Sequence, residues 1–305
     1  MPVLGNHDVD PRKSHNPDCA YFARFLRPGF PFASEGMCQQ FFSEGFTILS
    51  LRNDAQMVLI NTVVDHHDEQ TAKRGDFNAR RVGSLERFLA KNLKAPLRLA
   101  MMHHHPVLHT GPYLESSDVI PNGDALIAAL KKFGCNIILH GHKHHPRLTL
   151  VNGAVIFAAG SFSANMGQFG SAVGNMFHLL TLDAPNSTTM EVRGTIASWT
   201  FQLMKGWTRA SRKFSGFPHR TGFGSKQSPE QLATAVTSLA KGNSGTYEFP
   251  ENAVLALAPE LQFLTPEQYE QFAGILLRQG WKLPGYDEGS FVVGRVFPGT
   301  QDAVK

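Results

Sequence analysis

Apolar residues run along the first two-thirds of the chain in short blocks that turn-forming residues separate. Phe46-Thr47-Ile48-Leu49-Ser50-Leu51 and Met57-Val58-Leu59-Ile60-Asn61-Thr62 have strand length and are split by Arg52-Asn53-Asp54, which predicts a β-hairpin. Over 78–94 the spacing changes: Val82, Leu85, Phe88, Leu89 and Leu93 recur every three or four residues, as one face of an amphipathic helix requires. Leu97 to Met102 then reads as a short buried strand. Leu126, Ile127 and Leu130 make a second helical face that Gly134 can end, and Cys135 to Leu139 form the next buried strand. Val151-Asn152-Gly153-Ala154 predicts a hairpin turn into Val155–Ala159, and strands are expected again at Phe177–Leu182 and Met190–Val192. Residues 9–45, rich in Pro, Gly and aromatic side chains, read as loops and short helices. Helix–strand alternation followed by hairpins implies a mixed α/β sandwich.

Past about residue 200 the pattern shifts. Between Val192 and Pro229 there is no acidic residue, while seven Lys or Arg residues mix with Trp199, Phe201, Trp207, Phe214, Phe217 and Phe223. Such a stretch suits a phosphate-rich partner, with aromatics free to stack on bases, but also a packed connector with solvated charges; the connector is the expectation, so nucleic acid is not the favoured partner. Two helices follow, each opening with Ser/Thr-Pro-Glu-Gln, at Ser228-Pro229 and Thr265-Pro266. The division expected is 1–204 as one catalytic-type domain and 205–305 as an extension of loop and helices.

Composition narrows function only a little. A chain of 305 residues, 42% hydrophobic, can bury a full core, and a net charge of +4 favours an anionic ligand without singling out nucleic acid. Cys19, Cys38 and Cys135, an odd number at irregular spacing, suggest neither a disulfide framework nor a cysteine metal site, so a reducing, cytoplasmic setting is expected. No apolar run reaches membrane-spanning length, and no membrane partner is expected. Histidine does change the picture. Of 14 histidines, His103-His104-His105 and His142 with His144 fall in two tight groups, flanked by His140 and His145.

Each histidine-bearing motif follows an apolar strand: Gly5-Asn6-His7-Asp8, His104-His105-Pro106 and Gly141-His142-Lys143-His144. Ligands gather at the carboxyl ends of strands in α/β sheets, so one crevice is expected to hold all three. Imidazoles at i and i+2 around a glycine hinge can face two metal ions, and imidazole with an amide oxygen suits Mn, Fe or Zn. His103, His105, His140 and His145 are expected to pack or face solvent, His66, His67 and His109 to line a rim, and Asp124 and Ser117-Asp118 to cap a helix.

In order and context these motifs resemble the calcineurin-like metallophosphoesterases, over about residues 2–195. The resemblance implies an α/β, metallophosphoesterase-type β-sandwich flanked by helices, and metal-dependent hydrolysis of phosphomono- or phosphodiesters. It implies Asn6, His104 and His142 as ligands of one metal and His144 as a ligand of another, with His7 and Asp8 as the catalytic acid pair. The family pattern also has Asp-x-His and Gly-Asp ahead of Gly-Asn-His-Asp, and nothing precedes Met1 here. The expectation is therefore an N-terminally incomplete domain holding one metal where the family holds two. Asp65-His66-His67 and Gly75-Asp76 imitate the absent pairs, but their spacing is too short for the intervening helix and strand. The alternative from another class is a non-catalytic remnant that binds one metal, a phosphate compound or a protein partner.

Overall fold

The computed structural model describes residues 32, 34–52, 54–64, 73–108, 118–163, 174–183, 192–242 and 248–296. Its contacts divide the chain into two compact units: Met1–Gly160 with Ala184–Glu191, and Ser161–Asp183 with Val192–Lys305.

In the first unit the predicted hairpin forms, with β1 (Phe46–Arg52) and β2 (Ala55–Ile60) antiparallel and Phe46 opposite Ile60. β3 (Leu97–Met101), β4 (Ile137–His140) and β6 (Ala154–Ala158) continue the sheet in parallel, and β5 (Arg147–Val151) closes it antiparallel to β6, giving the order β1-β2-β3-β4-β6-β5. Asn152 and Gly153 both have positive φ (50° and 80°), the backbone that a tight β5–β6 turn demands. The fold class is mixed α/β, as the helix–strand alternation predicted.

The two faces of this sheet follow the strand period of two. Phe46, Val58, Ile60, Ala100, Met102, Ile138 and Ile156 point to one side, onto Leu85 and Leu89 of α2 (Ala79–Asn92) and Leu126, Ile127 and Leu130 of α3 (Gly123–Lys132). Leu49, Met57, Leu59 and Met101 point to the other, onto Cys38, Phe41 and Phe42 of α1 (Glu35–Ser43). Asn78 starts α2 by accepting a hydrogen bond from the Arg81 N–H, and Ser34 starts α1 in the same way from Met37. Each fully buried Leu or Ile contributes about 1.5–3 kcal/mol, so these two apolar layers hold the strand ends, and the loops on them, in fixed register.

In the second unit β7 (Met176–Asp183), β8 (Arg193–Gln202) and β10 (Arg220–Phe223) form an antiparallel sheet in the order β10-β8-β7, with β9 (Gly206–Arg209) also paired to β8. The boundary read from the sequence at 204/205 falls in the turn between β8 and β9. The strand expected at Met190–Val192 begins instead at Arg193; Val192 is outside it, and Met190 lies outside the described residues. Helices α5 (Pro229–Gly242), α6 (Glu251–Leu257) and α7 (Pro266–Arg278) pack around Leu232, Val236, Leu261, Phe272 and Leu276. Both Ser/Thr-Pro-Glu-Gln starts are reciprocal capping boxes: Ser228 with Gln231 and Thr265 with Gln268. The region beyond 205 is not loop and helices alone. It also carries β9, β10, a four-residue helix α4 (Arg212–Ser215), and a small sheet of β11 (Glu248–Phe249), β13 (Val293–Arg295) and β12 (Trp281–Lys282).

The acid-free stretch is likewise built in. Arg193 pairs with Asp183 and Glu260, Arg220 pairs with Glu251, and Arg212 stacks over Tyr269 and Tyr286. Trp199 stacks on Phe177 and Trp207 on Phe162. Its acids are supplied by other elements of the same unit, which suits the connector reading better than a free basic surface. Among the described residues no helix is long and apolar enough to cross a membrane. Cys38 and Cys135 are buried thiols without a disulfide, and burial pushes Cys135 up to about 12, far from thiolate chemistry.

Candidate metal centre

Three adjacent parallel strands, β2, β3 and β4, end on the same edge of the sheet, and each delivers a polar side chain there. The β3–β4 ladder runs on beyond the strands, with Met102 N–H donating to Leu139 O and Gly141 N–H donating to His103 O, both at 3.0 Å. The two histidine loops therefore lie side by side. His103, His104 and His142 meet so closely that their ligand atoms all fall within 4.8 Å of one another. Ring centroids are 4.6 Å apart for His104 and His142, 4.8 Å for His103 and His104, and 5.1 Å for His103 and His142. His142 Nδ1 and His103 Nε2 are 3.2 Å apart.

From the end of β2, Thr62 reaches across to this group. Its Oγ1 is 2.8 Å from His104 Nδ1, and it also accepts from the His104 N–H at 3.4 Å. Both residues are fully buried. A hydrogen bond at Nδ1 leaves Nε2 as the nitrogen of His104 that can face a metal, the orienting arrangement common around ligating histidines. Gly75 backs the other side of the ring: a Cβ there would stand 2.5 Å from His104 Cγ and Nδ1. Its φ of +72° is also one that side chains disfavour.

The His142 loop is strained where it matters. His142 and His144 themselves have positive φ, 81° and 60°, whereas Gly141 does not. The glycine expected to act as hinge is thus ordinary, and a Cβ on it would touch only His103 Nδ1 at 4.0 Å. Non-glycine residues in this region cost about 1–2 kcal/mol each, and the loop is tied down by a 2.8 Å ion pair between Lys143 and Asp118, whose side chain is 5% exposed. Burial holds the His142 imidazole well below the usual histidine range, at about 4, with the Lys143 charge acting in the same direction and Asp118 opposing. His142 is consequently neutral at pH 7, the form that binds metals.

These donors fit a borderline divalent metal: neutral or neutralisable imidazoles, one pinned by a buried hydroxyl, converging from rigid strand ends. Of the residues singled out in the sequence, the structure brings His104 and His142 together. His144 is half-buried on the same loop and is not in that group. Asn6, His7 and Asp8 lie outside the described residues, as do Asp65, His66, His67 and His109. Sequence reasoning set His103 aside as a packing neighbour and passed over Thr62, while Asp118, read as a helix cap, pairs with Lys143. His105, also set aside, is buried against His140 at 4.5 Å between centroids.

Residues 1–146 match the family model described as calcineurin-like phosphoesterase. No curated protein matches the chain. Among solved structures, a dimetal phosphatase from Danio rerio aligns at 13% identity and a TM-score of 0.29, over 54% of this chain and 58% of that one. The structure titled PhoD aligns at 13% identity and 0.34, over 64% and 49%. Vps29 complexed with zinc, from Entamoeba histolytica, aligns at 18% and 0.21, over 38% and 61%. The chain thus spans about half to three-fifths of the length of these structures.

Proposed function

We propose that this chain, whose residues 1–146 match the calcineurin-like phosphoesterase family model, hydrolyses phosphate esters, mono- or diesters, with the aid of Mn, Fe or Zn bound at the ends of β3 and β4. The observation that carries the proposal is the meeting of His104, fully buried, and His142, half-buried, in one imidazole group, with Thr62 fixing which nitrogen of His104 is offered. In this reading Asn6, His104 and His142 would hold one ion and His144 would serve a second. A bound metal would polarise phosphoryl oxygens and supply hydroxide near neutral pH. His7 and Asp8 would serve as the acid pair, His7 giving a proton to the leaving oxygen and Asp8 orienting it. The neutral state of His142 keeps the site ready to bind metal at physiological pH.

The test is turnover of an aryl phosphomonoester and a bis-aryl phosphodiester by the full chain with Mn²⁺ or Zn²⁺, beside His142→Ala. Metal-dependent hydrolysis of either, lost in the variant, is the expected result. Metal bound at His142 without turnover of either ester would favour the non-catalytic alternative, a metal- or phosphate-binding protein that docks a partner.

A further inference from the structure

We propose that the β8–β9 hairpin of the second unit docks on an anionic lipid surface, with Leu203 and Met204 at its tip entering the bilayer interface and the aromatic face behind them resting on it. The inference is independent of the phosphoesterase reading. Peripheral docking of this kind needs no membrane-spanning helix.

The tip is the first observation. Lys205 N–H donates to Gln202 O at 3.1 Å and closes a turn around Leu203 and Met204. Met204 takes a φ of +71° there, a conformation that glycine or asparagine adopts at lower cost. Neither side chain is packed: Leu203 is 85% exposed and Met204 95%, more than any other large apolar side chain among the described residues. Turn geometry therefore does not account for an apolar pair at this position, and neither does burial within the chain.

A lone exposed apolar residue is ordinary, but these two continue into a contiguous face. In the β8–β9 register Phe201 stands opposite Trp207 and Trp199 opposite Arg209, so the four side chains share one side of the sheet. Phe162 stacks on Trp207, with centroids 5.4 Å apart and planes at 20°, and Phe201 meets Trp207 edge-on at 5.5 Å. Phe162, Phe201 and Trp207 thus hold one another in place while each stays exposed.

Charge selects the occupant. Lys205 lies beside Met204 in the turn and Arg209 on the aromatic face; both are exposed, and among the described residues neither pairs with an acid. The ion pairs of this acid-free stretch engage Arg193, Arg212 and Arg220 instead. Apolar side chains at a projecting tip, an amphipathic tryptophan behind them and cations alongside match the layers of an anionic bilayer: acyl chains, interface and headgroups. A protein interface depletes lysine around its apolar centre. A single-stranded nucleic acid needs rings to stack on, and the leading side chains here are leucine and methionine.

The test is co-sedimentation of the full chain with sucrose-loaded vesicles of phosphatidylcholine alone or with about a third phosphatidylserine. The wild type should bind the anionic vesicles about tenfold or more tightly than the neutral ones, because each cation near the surface strengthens binding about fivefold. Leu203→Asn combined with Met204→Gly puts favoured turn residues at the tip, so binding should fall about 10–100-fold. The melting temperature of this double variant should hold or rise, since glycine takes the positive φ without strain. A merely structural role for the tip would instead lower it. Lys205→Glu should weaken binding about fivefold or more, and Leu277→Ser, at an exposed apolar position on α7, should leave it unchanged. No binding of anionic vesicles by the wild type, equal binding of both kinds of vesicle, or binding undiminished in the double variant would each overturn the proposal. A gel shift of a single-stranded oligonucleotide that the double variant loses, without vesicle binding, would overturn it in favour of nucleic acid. None of these readouts involves phosphate-ester turnover, so the two proposals stand or fall separately.

Discussion

Gly75→Ala is the substitution that most sharply separates a built metal site from a chance cluster of histidines. A Cβ at this position would lie 2.5 Å from both Cγ and Nδ1 of His104 and 2.9 Å from its Cβ. No real Cβ sits that close, so either the ring or the 75–76 backbone must move. The backbone is anchored, because the Asp76 N–H donates to Thr62 O at 3.0 Å, so the ring is the softer partner. The atom struck is the one within 2.8 Å of Thr62 Oγ1, and moving it breaks that bond. Losing a buried polar partner costs about 1–3 kcal/mol, and forcing alanine to a φ of +72° adds about 1–2 kcal/mol. The expected loss of stability is roughly 2–5 kcal/mol, and the misdirected His104 should weaken zinc binding about 10–100-fold. Urea unfolding and chelator competition measure the two separately. Gly141→Ala is the control, since its Cβ would meet only His103 Nδ1 at 4.0 Å, and it should change stability by less than about 0.5 kcal/mol. The reasoning is refuted if Gly75→Ala binds zinc as tightly as the wild type, or if the two glycine variants are equally stable.

Other outcomes follow from the same geometry. Thr62→Val keeps the shape of the side chain and removes the oxygen beside His104 Nδ1, so metal affinity should drop about 10–100-fold while far-ultraviolet circular dichroism stays unchanged. Asp118→Asn leaves Lys143 without its 2.8 Å carboxylate, and chemical denaturation should show a loss of about 1–3 kcal/mol, smaller than for Lys143→Met, which leaves the more buried charge of Asp118 without its ion-pair partner. His178, next to Ser198 Oγ at 2.8 Å and facing the Phe217 ring, is held at about 4 by burial. The unfolded chain binds that proton more readily, so the contribution to stability is full above about pH 6.5, is lost as pH falls toward 4, and levels off below, by about 3 kcal/mol at most. Melting temperature against pH should flatten over that window in His178→Gln.

Much of the fold was legible because it is local. The helix expected over 78–94 runs Ala79–Asn92, and the helix starts at Ser228 and Thr265 carry the capping boxes their sequences announce. The strands before the histidine loops were readable as apolar runs, and their meeting followed from a general property of parallel sheets. What escaped is long-range. Thr62 and His104 are 42 residues apart, and only the parallel register of β2 and β3 makes a threonine at the end of one strand the partner of a histidine at the end of the next. Gly75 attracted notice as half of a Gly-Asp pair, whereas its role is the space it leaves for His104. His103 was expected only to pack or face solvent, whereas the ladder to Gly141 brings its ring to His142. The sheet of β11, β12 and β13 has strands of two or three residues, too short to show any alternation.

The central claim is that a metal ion sits between the loops following β3 and β4. Anomalous diffraction from zinc-soaked crystals tests it most directly. The account predicts a strong anomalous peak within bonding distance of His104 and His142. A peak elsewhere, or none at that position with zinc present in excess, would contradict it.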